Sequence, residues 1–161
     1  MMMSAPLKII AIVAMAATAA TGAESVNTRV EIVLPVFEDI ANEAAQIALE
    51  VAGTKPCKKA FMGINPRFDA VKWMLDGELV VAQIGQDTAR VLGFPVSGVS
   101  SCSAPRRIGL SGELLKFLGP AHGAEVLIHE ISHFASCGIA GMTREISESN
   151  AKKVTKACFA E

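Results

Sequence analysis

At 161 residues the chain suits one compact domain and leaves little room for a second. Hydrophobic residues make up 51% of it, enough to build a core, which excludes a disordered chain. A formal charge of −1, with no long run of either sign, argues against nucleic acid or an anionic lipid surface as an obligatory partner.

Residues 1–23 have the form of a secretory signal peptide. Lys8 supplies a positive start, Leu7 to Ala20 is a compact apolar run, and Thr21-Gly22-Ala23 offers small residues before an expected cleavage at Glu24. The apolar run falls short of the ~20 residues needed to span a bilayer. The expectation is therefore a secreted or periplasmic protein, residues 24–161, monomeric and without stable membrane insertion. Beyond the leader lie four cysteines, Cys57, Cys102, Cys137 and Cys158. An even count in an exported chain reads as two disulfides. Three connectivities are possible and spacing does not choose among them; Cys57–Cys102 with Cys137–Cys158 is the working assignment.

Between Val26 and Ala52, apolar residues recur every three or four positions, which predicts a helix from Pro35 that Gly53 ends. Thr54 to Pro66 reads as a polar loop. Phe68 to Leu75 forms a second apolar segment with Pro66 in its first turn, and Asp76-Gly77 marks a turn. Leu79 to Ile84 fits strand or helix equally, and Gly93 to Pro105, rich in Gly, Pro and Ser, reads as loop. Arg107 to Leu110 fits a short strand. Ser111 can cap a brief helix closed by Gly119-Pro120. Ala124 to Cys137 is apolar around most of its circumference, so it predicts a buried helix, which Gly138 stops. Ser147 is expected to cap a last helix that runs to about Ala160.

The buried helix carries His129-Glu130-Ile131-Ser132-His133. Histidines four apart project from one helix face, so their imidazoles can share one tetrahedral zinc. Glu130 lies one step round the helix, where it can take a proton from a zinc-bound water without ligating the metal. A surface helix with accidental spacing is the bland alternative. It fares badly, because buried imidazoles need partners. A catalytic zinc needs a third protein ligand and an open fourth position. Glu145 is the first carboxylate after the motif and the preferred third ligand, ahead of Glu148 and then His122.

Val126 to Phe134, together with Asn150-Ala151 and Cys158-Phe159-Ala160-Glu161, resembles the deuterolysin and peptidyl-lysine metalloendopeptidase family, the aspzincins. The likeness covers about the last third of the chain. It implies an α+β, helix-dominated, zincin-like domain with a small sheet or edge strand beside the HExxH helix. It also implies Zn2+ held by His129, His133 and a later carboxylate, Glu130 as base, and peptide or protein as substrate, with lysine preference allowed. The family places an Asp in a Gly-Thr-x-Asp segment; here Gly141-Met142-Thr143-Arg144-Glu145 has one inserted residue and Glu at the end. Where the family has a tyrosine stands Glu148, and the chain has no tyrosine. The expected function is a secreted zinc metalloendopeptidase. The rival reading is a catalytically degenerate zincin-like binding or inhibitory module. An extended substrate is expected to add to the Arg107–Leu110 segment.

Overall fold

The computed structural model describes residues 26, 28–31, 35–76, 79–84, 98–102 and 107–160. The expected signal peptide lies outside them. In chain order the elements are β1 (Arg29–Glu31), α1 (Pro35–Ala52), α2 (Lys55–Ile64), α3 (Ala70–Leu75), β2 (Val80–Gln83), β3 (Gly98–Ser100), β4 (Arg107–Leu110), α4 (Gly112–Ser136) and α5 (Arg144–Cys158). This is an α+β, helix-dominated domain with one small sheet, as the sequence led us to expect.

α4 is the axis of the fold. Ser111 caps it by accepting a hydrogen bond from the Leu114 N–H. Gly119 then breaks it at φ 82°, a left-handed conformation that glycine adopts without strain, and Pro120 restarts it. Beyond the break, Ala124, Leu127, Ile128, Ile131 and Ala135 are all fully enclosed. α1 covers this face with a ridge of buried alanines, Ala41, Ala44, Ala45 and Ala48. The approach is close: a Cβ on Gly123 would stand 2.8 Å from the Ala44 Cβ.

Two helices differ from the sequence expectation. Thr54 to Pro66 is not a loop, because α2 occupies most of it. Only Cys57 and Phe61, one turn apart, are buried there, and Lys55, Lys58 and Lys59 face solvent. Two inward residues are too thin a stripe to reveal a helix. α3 starts later than expected, since Asp69 rather than the Pro66 turn opens it, with Oδ1 accepting from the Lys72 N–H at 3.0 Å.

The sheet order is β1-β2-β4-β3. β1 and β4 both run parallel to β2, whereas β3 runs antiparallel to β4 with Gly98 opposite Leu110 and Ser100 opposite Ile108. Leu79 to Ile84 thus resolves as a strand, and the expected loop Gly93–Pro105 contains β3. Arg107–Leu110 is a strand, but it pairs on both sides, so it cannot receive a substrate strand. The outer place belongs to β3, which pairs with no further strand among the described residues. β3 and β4 both lie against α4.

Two disulfides are present, with a pairing unlike the working assignment: Cys57–Cys158 and Cys102–Cys137. Tertiary packing makes the choice. α2 rests on α5 and brings Cys57 to Cys158, with Cα atoms 4.3 Å apart. β3 leads to Cys102 beside the end of α4, 5.8 Å from the Cys137 Cα. Gly138, at φ 76°, turns the chain out of α4, and Gly141 at the same φ turns it again before α5.

Candidate metal centre

His129 and His133 sit one turn apart on α4 with ring centroids 5.0 Å apart and planes crossed at 77°. α5 packs against α4 and delivers one carboxylate to them. Glu148 Oε1 lies 3.5 Å from His129 Nε2, and its Oε2 lies 3.5 Å from His133 Nε2. The ligand atoms of these three residues all fall within 4.8 Å of one another. Tetrahedral ligands about 2.0–2.1 Å from a zinc ion stand about 3.3–3.4 Å from each other, so the observed spacings suit such an ion. Two imidazoles and one carboxylate also form a donor set that catalytic zinc sites use with water in the fourth position.

Ser147 contributes behind the imidazoles. Its Oγ lies 2.8 Å from His133 Nδ1. With Nδ1 carrying the proton and donating it to this hydroxyl, Nε2 keeps its lone pair for the site, and the ring is held in orientation. Ser147 was expected to cap the last helix. The cap is instead Thr143, whose side chain accepts from the Ile146 N–H at 3.3 Å.

That early start explains why Glu148, not Glu145, reaches the histidines. Ala151, Val154 and Cys158 define the buried face of α5. At about 100° per residue, Glu148 lies about 60° from Ala151, whereas Glu145 lies about 120° away. Glu145 is exposed in the first turn, its pKa lowered by its own backbone N–H and by the Thr143 hydroxyl. The chain is helical from Arg144, so Glu145 sits in the first turn and not in a loop. Stepping back from Ala151 by three and four residues would have selected Glu148 and Ser147.

The electrostatics follow from burial and from mutual proximity. Glu130 is only 6% exposed, and burial raises its pKa, against the lowering influence of the Ser100 hydroxyl and of His129. Ser100 Oγ donates to Glu130 Oε2 at 2.5 Å. Burial lowers the pKa of His133, as do His129 and Arg144, while Glu148 opposes them. Partial burial alone would raise Glu148, but His129, His133 and then Lys152 bring it below the ordinary carboxylate value.

These groups share one cleft of about 840 Å³, walled by β3, α4, the turn after Gly138 and the start of α5. His122 lines it two turns before His129, about 10.5 Å away along the helix axis at 1.5 Å per residue. It is therefore not a member of the metal group. Its Nε2 is buried and finds no hydrogen-bond partner among the described residues. Glu125 and Arg144 also face the cleft. Of the sequence-derived candidates, the structure brings together His129, Glu130, His133 and Glu148, the second choice for third ligand, leaves Glu145 and His122 out of the group, and adds Ser147 and Ser100. Comparison with protein-family models, with curated proteins and with solved structures gives no match to the chain.

Proposed function

We propose that this protein is a zinc metallopeptidase exported to an oxidising compartment. The observation that carries the reading is the convergence of His129, His133 and Glu148, with the buried carboxylate of Glu130 on the next helix position. Two disulfides accord with an oxidising compartment, and residues 1–23 read as the signal that would send it there. His129 Nε2, His133 Nε2 and a Glu148 oxygen would hold the ion. When bound, zinc supplies Lewis acidity, lowering the pKa of a bound water toward neutrality and polarising a substrate carbonyl.

The chain's own groups supply the proton chemistry. Glu130 accepts a proton as the water oxygen bonds to the peptide carbonyl carbon. It then returns that proton to the amide nitrogen as the C–N bond breaks. Burial, by favouring the protonated form, strengthens it as the base that takes the proton from water. β3, unpaired on one side among the described residues and lining the cleft, is the edge available to an extended peptide. Arg144 stands in the cleft and can donate hydrogen bonds to a developing oxyanion, a role the chain cannot give to tyrosine. Lysine preference rests on the aspzincin resemblance alone, and Glu125 is the cleft carboxylate available for it.

The missing tyrosine favours one rival, a degenerate module that holds metal without turnover. A single experiment separates the two. Purified protein should contain about one zinc per chain and cleave peptides in a chelator-sensitive way, while Glu130→Gln should keep the zinc and lose nearly all turnover. Zinc without cleavage in the unmodified protein would establish the rival. Absence of zinc would refute both.

A further inference from the structure

Glu130 is the only buried carboxylate among the described residues, and the hydroxyl that hydrogen-bonds to it does not come from its own helix. Ser132 Oγ donates to the Ile128 carbonyl and Ser136 Oγ to the Ser132 carbonyl, so both hydroxyls are committed to the backbone of α4. The donor that reaches Glu130 comes from the sheet. Gly98 and Ser100, two apart on β3, project toward the same face, and that face meets α4. At Gly98 no side chain fits: a Cβ would lie 2.4 Å from Val126 Cγ1 and 3.0 Å from Glu130 Oε1. The bare backbone there lets the strand close on the stem of Glu130, and two residues later the Ser100 hydroxyl meets Oε2 at 2.5 Å. The strand is pinned beyond this point as well, through Ser100 opposite Ile108 in the sheet and through Cys102–Cys137 to the end of α4.

We infer that Ser100 is a positioning residue for Glu130. Its hydroxyl occupies Oε2 and fixes the carboxylate plane, so that proton transfer falls to Oε1. Gly98 makes the contact possible. The inference rests on the reading of Glu130 as the proton-transfer group. The hydroxyl acts on the orientation of that group, not on the metal or on substrate binding. Removing it should therefore lower the rate of the chemical step and spare both affinities.

Two measurements test this with Ser100→Ala and Ser100→Thr. In the metal-free protein, a hydroxyl proton held in so short a bond to a carboxylate should exchange slowly and give a proton NMR signal downfield of the amide envelope. The signal should be present in the unmodified protein and in Ser100→Thr, and absent in Ser100→Ala and Glu130→Gln. In the zinc-loaded protein, Ser100→Ala should lower kcat by about 10- to 100-fold, the range for outer partners of metal-site groups. KM and zinc content should change less than about twofold, and Ser100→Thr should recover most of kcat. Absence of the downfield signal from the unmodified protein overturns the contact. An active protein whose Ser100→Ala variant keeps its kcat overturns the role of Ser100 alone, as does a Ser100→Thr variant no better than Ser100→Ala. A wild type without zinc or cleavage overturns the enzymatic reading, and the role of Ser100 with it.

Discussion

Replacing Glu148 by Ala should cost the protein its metal while leaving the metal-free fold nearly untouched. In the proposed site the carboxylate would be one of three protein donors, and losses of mere outer partners already weaken binding 10- to 100-fold. Removing a ligand should therefore weaken zinc by about 100-fold or more, which is about 2.7 kcal/mol. In the metal-free protein Glu148 is 43% exposed on its side chain, and its 3.5 Å approaches to His129, His133 and Lys152 are open to solvent screening. Such contacts contribute at most about 1 kcal/mol. Because zinc stabilises the folded state by mass action, the deficit should appear as a lower melting temperature at a fixed zinc concentration. For a domain of this size about 2.7 kcal/mol corresponds to roughly 10 °C. Thermal melts with zinc and with chelator, beside calorimetric zinc titration, read both quantities. Glu145→Ala is the control, since its carboxylate points away, and it should bind zinc within about twofold of the unmodified protein. If Glu145→Ala loses zinc as severely as Glu148→Ala, or if Glu148→Ala keeps its affinity, the assignment of α5's inner face to the metal is refuted.

Ser147→Ala should weaken zinc by about 10-fold in the same titration, because His133 loses the hydroxyl that holds its ring. Acidification should release the metal as protons take the imidazole nitrogens. Burial lowers the pKa of His133, so zinc content measured against pH should persist somewhat below 6.5, the ordinary histidine value, before it falls. In the metal-free protein the sign is the same. A histidine that binds its proton less readily when folded lowers stability as pH drops from its unfolded value through its folded one. Peptide mapping of the unreduced protein should find Cys57–Cys158 and Cys102–Cys137. By chain-entropy reasoning, paired Cys→Ala removal of the first should cost about 4.7 kcal/mol and of the second about 3.8 kcal/mol in urea unfolding. The second removal should nevertheless lose more activity, because it frees the strand beside Glu130.

What could be read in advance was what local chemistry punctuates. Pro35 and Gly53 bound α1, Ser111 and Gly119 bound the first arm of α4, and Gly138 ends the second. The histidine pair and Glu130 were legible because helical periodicity alone stacks residues four apart. The strands were harder. β1 and β3 span three residues each, too few for alternation to show, and only their neighbours in the sheet define them. Glu148 was ranked behind Glu145 through a helix boundary. With Ser147 as the cap, the carboxylate after it belongs to an undefined first turn. With Thr143 as the cap, it lies a full turn inside, on the flank of the Ala151 face. The disulfide pairing and the Ser100 hydroxyl depend on which elements pack together, and no local pattern encodes that.

The nesting of the two bridges bears on how the molecule is made. Cys102–Cys137 lies wholly inside the span closed by Cys57–Cys158, whose partners are 101 residues apart. A chain threaded from its N-terminal side into an oxidising compartment presents Cys57 first and Cys102 next. Oxidation in order of arrival joins those two, an unwanted bond that leaves the edge strand tied to α2 instead of to the end of the metal-site helix. Correct maturation must either hold Cys57 reduced until α5 has arrived or exchange the early bond by thiol attack. Production of the protein should therefore depend on disulfide isomerase activity far more than on oxidase activity alone.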